Sequence, residues 1–272
     1  MEENTNKREV EAGAHRRESK IIFLIGCVIA LVLAISLIVS LILLFFPVVE
    51  IEVVGESRYS YAEIIEATGV KVCGRLYYLN ESKAERKALE KLTYLEDVEV
   101  NSYFPNRVKI EIKEFDDVYL VEHERGYCYV NGGFEILEII ESAASYEKFM
   151  GKFVRLEQKL TGEVGSTYEG EDAARAAELA EYLKVYGFYQ YLNVLDVSQK
   201  YNISFVVEKR YKFVIGSMTD VEEKIDVSFK VCFTDNFKRE ENCIIDSSDK
   251  KRVVLRYVTD EMISEEFDFC EN

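Results

Sequence analysis

The feature that most restricts the fold of this chain is an unbroken apolar run at residues 21–46, in which only Cys27 is ionisable. As an α-helix the run would extend about 39 Å, more than the roughly 30 Å of a bilayer's hydrocarbon core. A core helix of a soluble protein would be shorter and amphipathic. A cleaved signal peptide would end in small residues, where this chain has Phe45-Phe46-Pro47. The run therefore predicts an uncleaved signal anchor that spans the membrane once.

Charge predicts the orientation of this anchor. The twenty-odd residues after the run contain one basic residue, Arg58, whereas five precede it: Lys7, Arg8, Arg16, Arg17 and Lys20. The positive-inside rule then makes residues 1–20 a cytoplasmic tail and places everything after Pro47 outside the membrane. The formal net charge is −16, and acids and bases cancel in the tail, so the external part is acidic. Such a charge argues against binding nucleic acid and against electrostatic adhesion to anionic lipids.

Few residues suggest catalysis or a metal. The two histidines are His15 and His123, and we expect His123 to be solvated at the end of a strand. The external cysteines are odd in number and lack metal-site spacing, which predicts neither a disulfide framework nor a zinc site; Cys232 and Cys243 could pair. We expect no enzyme, no metal and no cofactor. The alternative is a membrane-anchored envelope hydrolase with an unidentified carboxylate pair.

The sequence of the first external segment, residues 48–115, predicts strands and helices in the order β-α-α-β-β. A strand within 48–54 precedes a helix whose capping box is Ser60 with Glu63. The next helix is expected to start near Asn80–Ser82, with Ser82 and Glu85 as a second capping box. Two alternating runs, 98–103 and 107–115, then predict a hairpin. The order predicts a small α+β domain with two helices on a three-stranded sheet.

The second external segment, residues 116–258, reads as β-rich with one or two helices. Apolar periodicity predicts a helix over 169–186. Residues 220–233 fit both a strand and a helix, and we favour the helix. Residues 259–272 are expected to be a loose acidic tail. The remaining runs predict strands at 118–123, 127–130, 134–139, 153–160, 194–198, 203–209, 211–217, 241–246 and 252–258.

This order of elements resembles the bacterial cell-division family FtsQ/DivIB, and the first external segment is similar to a POTRA domain. The most specific stretch is 98–114, VEVNSYFPNRVKIEIKE. The residues in this stretch that match the hairpin pattern of the family are Val98, Val100, Pro105, Val108, Ile110, Ile112 and Glu114. Ile51, Val53 and Gly55 match the family's first strand. In the second segment, Leu195-Asp196-Val197, Gly216, 222–225 and 244–246 are similar to the family's β-domain.

The resemblance implies a non-enzymatic scaffold at the division septum. Its partners would be FtsB/DivIC-like and FtsL-like single-span proteins, and through them it would help control septal peptidoglycan synthases. The resemblance also implies that a partner adds a β-strand to the last strand of the β-domain, at Val253, Val254, Leu255, Arg256, Tyr257 and Val258. Beside it, Lys250, Lys251 and Arg252 would attract an acidic partner. An equally good interpretation is that these basic side chains protect an edge strand from aggregation. A POTRA protein that handles translocating polypeptides is a third interpretation, disfavoured because the chain lacks tandem POTRA units.

Overall fold

The computed structural model describes residues 23–41, 47–74, 76–141, 151–232 and 241–259. Helix α1, Phe23–Leu41, is the one described helix that is long and apolar enough to cross a membrane, with a mean hydropathy of 3.0. Its apolar side chains are exposed, as those of a helix surrounded by lipid would be. The expected cytoplasmic tail, Cys270 and nearly all of the acidic tail lie outside the described residues.

The rest of the chain forms two compact units that meet in sequence at about residue 114, with Thr93–Glu96 grouped with the second. The first contains β1 (Glu50–Val54), α2 (Tyr61–Thr68), α3 (Glu81–Lys91), β2 (Leu95–Tyr103) and β3 (Arg107–Glu114). The strands lie in the order β1-β3-β2, and β1 is parallel to β3. The predicted β-α-α-β-β order is confirmed.

The helix starts show one correct and one wrong prediction. The Ser60 hydroxyl accepts a hydrogen bond from the backbone of Glu63, whose carboxylate accepts one from the Ser60 backbone at 2.7 Å, so this box is confirmed. The Ser82 box is wrong. Asn80 caps α3 instead, because its side chain accepts the Lys83 backbone N–H at 3.0 Å and the helix begins at Glu81.

The core of the first unit follows from strand alternation. In β3, Val108 and Ile110 are fully buried, while the residues between them point outward. In β2, Val98 and Val100 are buried in the same way. Ala84 and Ala88 are the buried residues of α3, and small side chains let a helix lie close to a sheet. One apolar layer between the sheet and its two helices therefore holds this unit together.

In its described residues, the second unit contains a nine-stranded sheet and two α-helices, α4 (Glu171–Val185) and α5 (Val221–Cys232). Its strand order is β12-β11-β10-β9-β8-β7-β4-β5-β6. Its strands are β4 (Val118–His123), β5 (Gly126–Asn131), β6 (Ile136–Ile140), β7 (Lys152–Arg155), β8 (Leu192–Asp196), β9 (Ile203–Val207), β10 (Tyr211–Gly216), β11 (Cys243–Asp249) and β12 (Arg252–Tyr257). Residues 220–233 thus contain a helix, as favoured. The predicted α+β class, with an apolar N-terminal helix, is confirmed.

A cluster of aromatic rings is the centre of this unit. Phe205 and Phe213, from adjacent strands, stack with ring centroids 4.7 Å apart and are fully buried. Phe188, just after α4, packs on both, and Phe229 of α5 packs on Phe188. Both helices and the neighbouring strands of the sheet are therefore joined by the same apolar contacts.

The expectation for His123 is wrong, since its side chain is buried. It lies at the end of β4, where its backbone forms a parallel bridge with Leu160. The ring nitrogen Nδ1 accepts the Arg125 backbone N–H at 3.2 Å, so Nε2 carries the proton and donates to the Gly162 carbonyl at 3.2 Å. Both nitrogens are used in fixing loops, and the residue is structural.

Candidate functional site

The strand that the resemblance singles out is the last strand of the nine-stranded sheet. Among the described strands, β12 pairs with β11 alone, in antiparallel register with Ile245 opposite Leu255. The other side of β12 therefore faces no described strand. An edge of this kind presents unpaired backbone donors and acceptors to a second polypeptide.

The register shows which backbone groups face this open edge. The Val258 N–H donates to the Asn242 carbonyl at 3.0 Å, across the pair that follows Tyr257 and Cys243. In an antiparallel ladder the hydrogen-bonded pairs alternate. Val254, Arg256 and Val258 consequently bond to β11. The N–H and C=O groups of Val253, Leu255 and Tyr257 point to the open edge.

The side chains of β12 alternate between two environments. Val253, Leu255 and Tyr257 are half-buried and pack against the apolar core on the helix side of the sheet. Arg252, Val254 and Arg256 are exposed on the opposite face. The edge therefore offers one apolar side and one side with two guanidinium groups.

The three basic residues at 250–252 differ in whether their side chains are already paired within the protein. The Lys250 ammonium lies 3.0 Å from an Asp220 carboxylate oxygen and 2.8 Å from one of Glu223. Hydrogen bonds to Glu223 and Asp220 raise the pKa of Lys250. Lys251 and Arg252 are exposed. Of the three residues, Lys250 is therefore ion-paired with residues at the start of α5, whereas Lys251 and Arg252 are exposed.

Buried polar contacts join helix α5 to the sheet next to this edge. The Ser228 and Ser247 hydroxyls are hydrogen bonded at 2.8 Å, joining α5 to β11. Lys224 is buried and donates to the Ser217 carbonyl at 3.0 Å, and desolvation lowers its pKa. Burial also raises the pKa of the Cys243 thiol to about 12. A thiol of this kind is a packing group rather than a nucleophile at neutral pH.

Strand periodicity predicted the strand at 252–258, and the resemblance proposed it as an edge, but neither pointed to the acids that pair with Lys250. Asp220 and Glu223 lie about thirty residues upstream, and no local pattern relates them to the turn before β12. Among the described residues, no group of three or more His, Cys, Asp or Glu is arranged to hold a metal ion.

The comparisons with known proteins concern the first unit. Residues 46–115, about a quarter of the chain, match the family model "POTRA domain, FtsQ-type". The match contains every first-unit residue on which the resemblance rests, from Ile51 to Glu114. No curated protein matches the chain.

This match covers the elements from β1 to β3. A single apolar helix followed at once by an FtsQ-type domain indicates a single-pass membrane protein with that domain outside. The domain type points to a non-catalytic role in cell division. Residues 46–115 are therefore an FtsQ-type POTRA domain, and this domain after an apolar helix fits an FtsQ/DivIB-like cell-division protein.

Proposed function

We propose that this protein is a non-catalytic scaffold of the division septum whose strand β12 receives a strand from an FtsB/DivIC-like partner. The main observation in support of this proposal is that β12 is the last strand of the described sheet. The backbone N–H and C=O groups of its residues Val253, Leu255 and Tyr257 point away from β11. The FtsQ-type domain in the same chain supports the choice of division proteins as partners. The N-terminus would be cytoplasmic and both units extracytoplasmic, as the charge bias predicts.

The two sides of the edge specify the partner strand. A strand added beside β12 would place alternate side chains on opposite faces of the sheet. Those on the helix side would meet the half-buried Leu255 and Tyr257 and should be apolar. Those on the other side would meet Arg252 and Arg256 and should be acidic. An FtsL-like protein would join through this partner, and septal peptidoglycan synthases would be regulated indirectly.

The backbone of β12 can be tested by replacing Leu255 with proline. This removes an N–H that faces the open edge and leaves the ladder bonds to β11 in place. A partner carbonyl then loses its donor, which costs about 1–3 kcal/mol. We expect the Kd for the FtsB/DivIC-like protein to rise about tenfold or more. Fluorescence titration of the full chain in lipid nanodiscs with the labelled partner measures it.

Leu255→Ala is the matched control, because it shortens the same side chain and keeps the N–H. It should bind within a few-fold of the parent chain, and thermal unfolding without partner shows that both variants are folded. Equal affinities of the proline and alanine variants would count against docking along the β12 backbone.

The role in division is tested by the position of a fluorescent fusion in growing cells. The fusion should concentrate at the septum, and its Leu255→Pro form should lose that enrichment. A uniform envelope signal from the parent fusion would contradict the scaffold proposal. Turnover of peptidoglycan by the purified chain would instead favour the anchored hydrolase.

A further inference from the structure

Three loops of the FtsQ-type domain are bonded together at one end of its sheet: residues 47–49 before β1, the turn at 71–74, and the hairpin turn at 103–106. The Val48 N–H donates to the Gly74 carbonyl at 2.7 Å, and the Cys73 N–H donates to the Val48 carbonyl at 2.8 Å. The Val49 N–H donates to the Asn106 carbonyl at 2.8 Å. These backbone bonds hold the loops in a fixed relation.

Exposed apolar side chains are concentrated on these loops. Val49 is 61% exposed, Val72 60%, Tyr103 49% and Phe104 64%. They are half of the eight large apolar side chains that are exposed in the described part of residues 47–114. We call these four residues the apolar rim. Exposed apolar side chains that lie together on a surface are typical of protein or membrane interaction sites.

Chain length places the apolar rim at the membrane. The uncharged run ends at Phe46, three residues before Val49, and three residues span at most about 11 Å. Phe104 is two residues from Asn106, which is bonded to Val49. The headgroup layer adds about 5–7 Å on each side of the hydrocarbon core. The apolar rim therefore lies within reach of the headgroups if the run spans the bilayer.

Two basic residues beside the apolar rim are paired within the domain, whereas Lys71, next to Val72, is exposed. Arg107 contacts Glu50 at 3.0 Å, and Lys109 contacts Glu111 at 2.5 Å. The acidic body offers no general attraction to lipid, because its net charge is negative. The contact with the bilayer that we expect at this end is mainly apolar, and aromatic rings with a polar edge, such as Tyr103, favour the lipid–water interface.

We propose that the apolar rim inserts into the headgroup region of the bilayer, so that the FtsQ-type domain is docked on the membrane surface as well as tethered to it. The proposal rests on α1 spanning the membrane, and it does not depend on the partner bound at β12. Membrane docking would restrict the orientation of this domain more than covalent attachment to α1 alone.

The chain contains no tryptophan, so Phe104→Trp introduces a single fluorescent reporter. The full chain is reconstituted into phosphatidylcholine vesicles, with or without lipids brominated at defined depths along the acyl chain. We expect the indole emission of the Phe104→Trp variant to lie at shorter wavelength in vesicles than in urea. We also expect bromines near the headgroup to quench it more than bromines at the chain end.

Val54→Trp is the matched control, because Val54 is exposed at the other end of β1, about 16 Å along the strand from Val49. Its emission should be insensitive to brominated lipid. If Phe104→Trp fails a folding test by circular dichroism, Val72→Trp serves as the reporter, and Phe104→Glu added to it should reduce the quenching.

The result that overturns the proposal is a folded reporter variant, Phe104→Trp or Val72→Trp, whose emission is unaffected by brominated lipid. Quenching of the Val54→Trp reporter to the same degree would also overturn it, since the contact would then not be specific to the apolar rim. Both results are independent of septal localisation and of affinity for the β12 partner.

Discussion

Replacing Phe213 with alanine is expected to lower the free energy of unfolding of the second unit by about 3–5 kcal/mol. The ring is fully buried, stacks on Phe205 at 4.7 Å and packs on Phe188 at 5.1 Å. Its removal leaves a cavity between α4, α5 and the sheet that rigid neighbouring strands cannot close. Urea denaturation followed by circular dichroism, on the full chain in detergent, measures the change.

Tyr201→Ala is the control for this variant. It also removes an aromatic ring from the second unit, but Tyr201 is 79% exposed, so its free energy of unfolding should stay within about 0.5 kcal/mol of the parent. A loss for Phe213→Ala below about 1 kcal/mol would contradict the central role of the aromatic cluster.

Replacing Gly55 with alanine is expected to destabilise the first unit by about 3 kcal/mol or more, through backbone strain and overpacking. Gly55 has φ +127°, a region that is largely reserved for glycine. A Cβ added there would overlap the carbonyl oxygen of Ile112 and would lie 2.7 Å from the Cγ1 atom of that residue. The backbone after β1 crosses the end of β3 so closely that no side chain fits. The same denaturation measurement detects the loss.

Gly69→Ala separates strain from steric overlap. Gly69 ends α2 with φ +73°, and the nearest atom to an added Cβ is the mobile Lys87 Nζ at 3.6 Å. This variant should cost only about 1–2 kcal/mol, the penalty of the left-handed conformation. If both glycine variants lost the same free energy, close contact with Ile112 would not explain the effect at Gly55.

Local patterns were sufficient wherever a short stretch determines its own structure. The hairpin of β2 and β3 follows from period-2 alternation on either side of Phe104-Pro105-Asn106. The capping box at Ser60 follows from two side chains three residues apart. At α3 the same reasoning failed, because Asn80 and Ser82 both make good caps and only the path of the preceding chain selects one.

Residues 220–233 show where periodicity alone is insufficient, since their apolar positions fit both a strand and a helix. Strands β10 and β11 pair in parallel, with Phe213 opposite Ile245. Parallel neighbours need a crossover, which is usually a helix. Helix α5 supplies that connection. The topology of the sheet therefore requires the helix that the sequence pattern only favoured.

The sequence by itself determined the apolar membrane helix, the order of elements in the FtsQ-type domain, and which residues of β12 share a face. These depend on composition and on spacing along the chain. The edge position of β12, the neutralisation of Lys250, the burial of His123 and the gathering of the apolar rim were decided only by the tertiary structure. Each of them depends on residues distant in sequence being brought together, and such contacts leave no periodic trace along the chain.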